Sequence, residues 1–351
     1  MKKYLQLYEK IKDDIKSGVY KSNTKLPSKR IMADLSGVSL TTVEMAYGML
    51  SEEGYLYSVE KKGYFVSNIS EIGSFTPFVS NAKINLLPLP KSDFKQTDFE
   101  YSIWFKTIRK VLNDNGNLLF KKSPPKGCEV LRNAISEYLL RYRKMLVQPA
   151  NIVIGSGAEQ LYALAILLLG KDKKYGIENP CYSKIPAVYK GMGAVTVPLK
   201  MGKDGILSGE LNRKNFDILH VTPFNSFPSG ITTSLTKRLK YLSRMSGGEN
   251  YIIEDDYASE FFLKGHPIET LYSLSENDSV LYINTFSKSL SDSMRIGYML
   301  IPDRLSEKYD RMTANASCTV PVLDQYILAD FISSGNFERH LARKRRQMFR
   351  R

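Results

Sequence analysis

The chain has 351 residues, 43% of them hydrophobic, and a formal net charge of +14. That length accommodates two domains, or one large α/β domain with an appendage, and the composition is ordinary for a water-soluble globular protein. The charge favours an anionic partner such as nucleic acid, and it rules out nothing by itself.

The longest apolar run, LYALAILLLG at 161–170, is far short of the roughly 20 residues that span a bilayer. The amino terminus, MKKYLQLYEKIKDDIKSG, lacks the apolar core of a signal peptide. Both features predict a soluble cytoplasmic protein with no membrane association. Cys128, Cys181 and Cys318 are odd in number, far apart and free of any CxxC pattern, so neither a disulfide framework nor a zinc ribbon is suggested. His220, His266 and His340 share no ligand spacing, so no metal site is expected. The basic ending ERHLARKRRQMFRR reads as a solvated helix face.

In chain order, Leu5, Tyr8, Ile11 and Ile15 recur at three- and four-residue steps and predict a helix that Gly18 ends. A second helix follows in LPSKRIMADLSG, with Ser28 as N-cap and Gly37 as stop. A third lies in VSLTTVEMAYGMLSEEG, capped by Ser39, with Val43, Ala46, Tyr47 and Leu50 facing inward and Gly54 at its end. YLYSV and YFVS alternate like strands around the turn EKKG. Three short helices and a hairpin make a winged helix-turn-helix. Ser39, Thr41 and Thr42 would meet base edges from the third helix. Lys29 and Arg30 would hold phosphates, and Lys61, Lys62 and Gly63 would enter a minor groove from the wing. The alternative is a helical domain with ordinary caps and a charged turn.

Residues 70–84 carry Ser, Gly and Pro without a period, and predict a linker between a head at 1–69 and a larger domain at 85–351. Beyond it, NIVIGSG, KYGIEN, AVTVPL, FDILHVTP, YIIEDDY, SVLYINTFS and GYMLIP read as seven buried strands. Helical patterns such as EVLRNAISEYLLRYRKML and SLTKRLKYLSRMS separate several of them. Such alternation predicts an α/β fold with a mostly parallel seven-stranded sheet covered by helices on both faces. Ligands in such folds sit beyond the carboxyl ends of the strands.

Three motifs fall at those ends. Ser156, Gly157 and Ala158 open a helix after a strand, which suits an anion, although any strand-to-helix turn can carry a glycine. Glu254, Asp255, Asp256 and Tyr257 end another strand, as metal ligands, an acid/base pair or a solvated loop. Lys288 follows a third, with Ser287 and Arg295 near it, either as a surface lysine or as an amine that loses its charge to a carbonyl. Taken in order, these groups match what pyridoxal 5'-phosphate requires: an amine for its aldehyde, a carboxylate for its pyridine nitrogen, and N–H or cationic groups for its phosphate.

LYEKIKDDIKSGVY, LPSKR, LSGVSLTTV and LSEEGYLYSVEKKGYFV together resemble the GntR-type DNA-binding domain. SGAEQ, ENPCY, VTPFNSFPSG, IIEDDYASEF and TFSKSLSDSMRIGYMLIP resemble the large domain of fold-type I aminotransferases. Joined, the two are similar to the MocR/GabR group of transcriptional regulators. The resemblance implies that Lys288 binds the cofactor aldehyde as an imine and that Asp255, rather than Asp256, pairs with the pyridine nitrogen. It also implies that Tyr257 donates to the phenolic oxygen and Tyr182 stacks on the ring, while Ser156, Gly157, Ala158, Ser287 and Arg295 hold the phosphate. It further implies double-stranded DNA as partner, a small amino compound as effector, and a head-to-tail homodimer.

Four departures stand out. Leu40 occupies a position where the family commonly has arginine. Asn225-Ser226-Phe227-Pro228 replaces the usual His-Gln-Phe-Pro. Asp292-Ser293 replaces a Pro-Gly pair and brings an acid near the phosphate site. The chain stops at RRQMFRR, so the family's C-terminal small domain, with its arginine for a substrate carboxylate, is expected to be missing. Without that clamp the expectation is a sensor that binds an amine through Lys288. An active aminotransferase with an accessory head is the alternative, and a head joined to a decayed cofactor domain is a third reading.

Overall fold

A computed structural model describes residues 2–60, 62–68, 99–261 and 268–349. The chain divides into two compact units, Met1–Leu89 and Pro90–Arg351. The linker expected at 70–84, and its borders at 69 and 85, lie outside the described residues.

The first unit contains helices α1 (Lys3–Lys16), α2 (Lys29–Ser36) and α3 (Leu40–Glu52), and strands β1 (Leu56–Val59) and β2 (Gly63–Val66). The inward stripe of α1 is Leu7, Tyr8, Ile11 and Ile15. Leu7 stands one turn before Ile11 and takes the place expected of Leu5, which is only partly buried. On α3, Val43, Ala46, Tyr47 and Leu50 are all 0% exposed. The hydroxyls of Ser28 and Ser39 cap α2 and α3, accepting from Ile31 N–H at 3.4 Å and Thr42 N–H at 3.3 Å. Gly37 ends α2 at φ +62°, a left-handed conformation that glycine adopts without a Cβ penalty. The antiparallel β1–β2 hairpin gains a third segment: Asn23 N–H donates to the Val66 carbonyl at 2.8 Å and Leu26 N–H to that of Tyr64 at 2.9 Å. This wing strand is too short to leave an alternating pattern in the sequence.

The second unit begins with α4 (Tyr101–Asn115) and α5 (Glu129–Arg143). It continues through β3 (Ile152–Gly155), α6 (Ala158–Leu169), β4 (Lys174–Asn179), α7 (Lys184–Gly191), β5 (Val195–Gly202), β6 (Gly205–Ile206), α8 (Ser208–Arg213), β7 (Ile218–Val221) and α9 (Leu235–Arg244). After β8 (Tyr251–Asp255) come α10 (Leu271–Leu274), β9 (Val280–Thr285), β10 (Gly297–Leu300), α11 (Asp303–Thr313), α12 (Val322–Ser333) and α13 (Asn336–Phe349). The sheet order is β3-β10-β9-β8-β7-β4-β5-β6. The seven expected strands are all present, and the two-residue β6 adds an eighth, antiparallel to β5. β10 is antiparallel to both its neighbours, whereas β9, β8, β7, β4 and β5 pair in parallel.

The strands read as unbroken apolar runs because both sheet faces are covered. Val153, Ile253, Ile283 and Met299 pack with Leu161, Tyr162 and Ile166 of α6 and Tyr189 of α7. Their neighbours Ile152, Ile154, Tyr282, Tyr298 and Leu300 point the other way, onto Leu131 and Ile135 of α5 and Leu328 and Ile332 of α12. Farther along that second face, Leu219, Val221 and Ile252 meet Tyr241 of α9. Side-chain direction thus alternates with period two along each strand. Among the described residues, no helix is long and apolar enough to cross a membrane.

Candidate functional site

Two surfaces gather the residues singled out from the sequence, one in each unit. In the first unit, Lys29, Arg30, Lys62 and Gly63 line an open groove of about 520 Å³ together with Lys25, Ser28, Leu40, Glu44 and Tyr64. Lys25 was missed from the sequence, because only the pairing of its segment with β2 turns it toward the wing. Lys29 Nζ lies 3.1 Å from Glu44 Oε1 and 5.6 Å from the Tyr64 ring centre. Thr41 is exposed on the first turn of α3. Ser39 and Thr42 are engaged with each other, their hydroxyl oxygens 2.9 Å apart and the Ser39 oxygen also accepting from Thr42 N–H. They set the helix start rather than extending from it. Lys61 lies outside the described residues.

In the second unit the chain leaves β3 at Gly155, and Gly157 precedes α6 at φ +94° and ψ 176°, a region that side-chain-bearing residues avoid. A Cβ at Gly157 would stand 2.8 Å from Arg295 Nη2, so the guanidinium lies directly against the opening of α6. The first amides of a helix have no partner within it and carry partial positive charge, which makes this end attractive to an anion. Ser156 is turned back on α6: its N–H and hydroxyl donate to Gln160 Oε1 at 2.6 and 3.1 Å. The acid beside Arg295 is one the sequence reading missed. Glu159 Oε1 is 3.8 Å from Arg295 Nη2 and 2.5 Å from Lys184 Nζ. Asp292, the acid expected there, is exposed on the loop before β10.

β8 delivers two adjacent aspartates to opposite faces. Asp256 pairs with the buried Arg143 guanidinium at 2.7 Å and accepts from the Tyr282 hydroxyl at 2.7 Å. Asp255 faces α6, where the Tyr162 hydroxyl donates to Oδ2 at 2.5 Å. Its Oδ1 is buried without a partner among the described residues. Burial and the Asp256 charge push the Asp255 carboxyl up to about 7, against the pull of Tyr162. Behind it, His220 on β7 meets the Tyr189 hydroxyl at 2.9 Å and lies edge-on to Tyr162, and burial drives its imidazole down to about 3. The side chain packed behind Asp255 is therefore a neutral histidine. Glu178, at the end of β4, is pushed up to about 8 by burial and accepts from the Ser226 hydroxyl at 2.6 Å.

The altered loop after β7 has local reasons for its residues. Asn225 sits at φ +51°, where asparagine is tolerated better than most, and its carbonyl accepts from the Tyr257 hydroxyl at 2.8 Å. Ser226 supplies the donor that Glu178 needs. Burial raises the Tyr257 phenol above its ordinary value. Tyr182 is 36% exposed after β4, its ring edge-on to Phe227 at 6.1 Å.

Lys288 follows β9 and reaches over Tyr257, with Nζ 4.8 Å from the ring centre. Ser287 donates to the Met294 carbonyl at 3.1 Å, closing the loop that carries Lys288 and Arg295. The same loop is gripped from outside. His340 Nε2 lies 2.9 Å from the Ser289 carbonyl, and Lys344 Nζ donates to the Lys288 carbonyl at 2.7 Å. Arg345 donates to the Tyr142 hydroxyl at 2.7 Å and Arg343 pairs with Glu100. The basic α13 is thus an anchored helix rather than the solvated face its composition predicts. Carbonyls at the turn after β9 need donors, and α13 provides them.

Comparison with known proteins divides the chain in the same two parts. Residues 3–66 match the model for bacterial regulatory proteins of the gntR family, and residues 96–351 match that for aminotransferase class I and II. The HTH-type transcriptional regulator YhdI of Bacillus subtilis is 33% identical over 97% of this chain and 75% of its own length. The probable rhizopine catabolism regulatory protein MocR of Rhizobium meliloti is 30% identical over 97% of this chain and 74% of its own. Among solved structures, an archaeal alanine:glyoxylate aminotransferase superposes with a TM-score of 0.65 at 23% identity. That alignment covers 71% of this chain and 64% of the aminotransferase, less than two thirds of it, and it speaks to the fold alone.

Proposed function

The chain belongs to the MocR-type regulators of the gntR family, a winged helix-turn-helix head joined to an aminotransferase class I and II domain, and from that premise we propose that it binds double-stranded DNA under the control of pyridoxal 5'-phosphate and a small amino compound. One observation carries the reading: Asp255, whose buried Oδ1 has no partner among the described residues, lies two residues before a tyrosine whose ring is 4.8 Å from the Lys288 amine. A protonated pyridine nitrogen would give that oxygen the donor it lacks, and an unsatisfied buried acceptor is costly. The bare Gly157 backbone against Arg295 suits a phosphate, as do the open amides of α6. On these grounds the residues fit the cofactor.

When bound, the cofactor supplies an aldehyde that condenses with primary amines. Lys288 provides the resident amine. Asp255 would hold a proton on the ring nitrogen, its own carboxyl being charged when it has that partner. Tyr257 would serve the phenolic oxygen once its hydroxyl left the Asn225 carbonyl, and Tyr182 would cover the ring. Gly157, Ala158 and Arg295 would receive the phosphate, joined by Ser156 and Ser287 once their hydroxyls left Gln160 and the Met294 carbonyl, and Lys184 would hold Glu159. An effector amine able to compete with Lys288 for the aldehyde would release that side chain and would alter the preferred arrangement of the second unit. A ligand shifts an equilibrium only by its differential affinity for two states, so duplex affinity must respond through this lysine. We place the working protein in the cytoplasm as a homodimer reading paired half-sites; exposed apolar side chains at Phe105 and Phe120 are consistent with a second copy packing nearby.

The test is duplex binding by cofactor-loaded protein, using duplexes retained from a random pool, with and without a panel of amino acids. At least one amine should change the affinity by about five-fold or more, and Lys288→Ala should abolish that response. Retention of no duplex, or a Lys288→Ala protein that responds like wild type, refutes the proposal. Steady turnover of an amino donor with a keto acid would instead identify an aminotransferase.

A further inference from the structure

The outward stripe of α3 is Leu40, Thr41, Glu44, Met45 and Gly48, opposite the buried Val43, Ala46, Tyr47 and Leu50. It is unusual for a solvent-facing helix surface. Leu40 is 42% exposed and Met45 50% exposed. Glu44, the charged residue of the stripe, is bonded to Lys29. Gly48 sits in a helix interior, where it costs about 1 kcal/mol against alanine, yet a Cβ there would meet nothing within 4 Å. Nothing within the described chain therefore asks for a bare backbone at that point, and an approaching partner does. The flank beside Leu40 is of opposite character: Lys25, Lys29, Arg30 and Lys62 share one groove with it. An apolar ridge with cations along one side is complementary to a duplex, with phosphates at the cations and base edges at the ridge.

Resting on the reading of the head given above, we propose that α3 reads the DNA major groove by apolar contact with thymine methyl groups, through Leu40 and Met45, with Gly48 allowing close approach. The stripe holds no arginine, lysine, asparagine or glutamine, the side chains that grip purine edges in pairs, and thymine alone offers an apolar group in the major groove. Ser39 and Thr42 are occupied in capping, so the leading contact falls to Leu40. The cations beside it fix register and carry no sequence information.

The experiment passes full-length, cofactor-loaded protein over a pool of duplexes with a randomised core and sequences the retained fraction. Thymine should dominate at least one fixed position. Replacing that thymidine by deoxyuridine, which removes only the methyl, should weaken binding about four-fold. Leu40→Ala, an exposed change that leaves the core intact, should bind thymidine and deoxyuridine duplexes equally. Leu40→Arg should move the preference toward guanine. A guanine-centred motif for wild type overturns the inference, and so does equal binding of thymidine and deoxyuridine duplexes by wild type. Retention of no duplex at all is a different result, because it removes the DNA-binding reading on which the inference rests.

Discussion

Replacing Gly157 by alanine tests the anion cradle from two sides at once. The backbone there is at φ +94° and ψ 176°, and holding a side-chain-bearing residue in so sparse a region costs about 1–3 kcal/mol. The new Cβ would also stand 2.8 Å from Arg295 Nη2. Arg295 is flexible and 50% exposed, so it swings away instead of clashing, and the guanidinium leaves the start of α6. The strain should lower the melting temperature of the second unit by about 2–4 °C for each kcal/mol lost. Losing a charge-assisted phosphate contact should weaken pyridoxal 5'-phosphate binding by about 10- to 100-fold. Arg295→Ala separates the two effects: it should weaken the cofactor comparably while leaving the melting temperature nearly unchanged, because it removes a half-exposed side chain without backbone strain. The assays are thermal melting of cofactor-free protein and an absorbance titration with cofactor. Wild-type melting and affinity in Gly157→Ala would refute the cradle argument.

Tyr162→Phe removes the 2.5 Å hydrogen bond that holds Asp255, and should weaken the cofactor by about 10-fold in the same titration, with little change in the rest of the core. Raising pH should destabilise the cofactor-free second unit. Burial holds Asp255 and Glu260 up to about 7 and Glu178 and Glu254 up to about 8, so the folded state keeps protons that the unfolded chain releases. Their contribution is full below the unfolded carboxyl values near ~4 and is lost as pH climbs through 7 and 8; melting at pH 6 and pH 9 checks the sign, and a higher melting temperature at pH 9 would contradict it. Leu50→Ala, at a position 0% exposed, should cost the head about 2–5 kcal/mol and abolish duplex retention, while cofactor attachment at Lys288 persists.

Much of the head was legible in the sequence because its signals are local. Ser28, Ser39 and Gly37 fix helix ends within four residues, and the inward stripe of α3 follows from helical spacing alone. Leu5 misled because Leu7 offers an equally good register on a short helix. The seven strands were legible because apolar runs of that length between helical patterns have few other solutions. β6 was not, since two residues carry no alternation. At the site, the residue types at the strand ends pointed to the chemistry, but the side-chain directions came only from the fold. Adjacent aspartates on a strand must face opposite ways, yet which face holds Arg143 and which holds Tyr162 depends on helices more than 90 residues away in sequence. Glu159, Tyr162 and Lys344 left no signal for the same reason: each matters through a partner distant in sequence. The cationic tail of α13 shows the same limit, since a run of basic residues does not reveal that one of them holds the carbonyl of Lys288.

The most direct test of the account is to add pyridoxal 5'-phosphate to the full-length protein, record the absorbance, reduce with borohydride and map the modified residue by mass spectrometry. The account predicts an imine band in the visible range, lost on reduction, with one cofactor fixed per chain at Lys288. Absence of the band, or labelling at any other lysine, would contradict it.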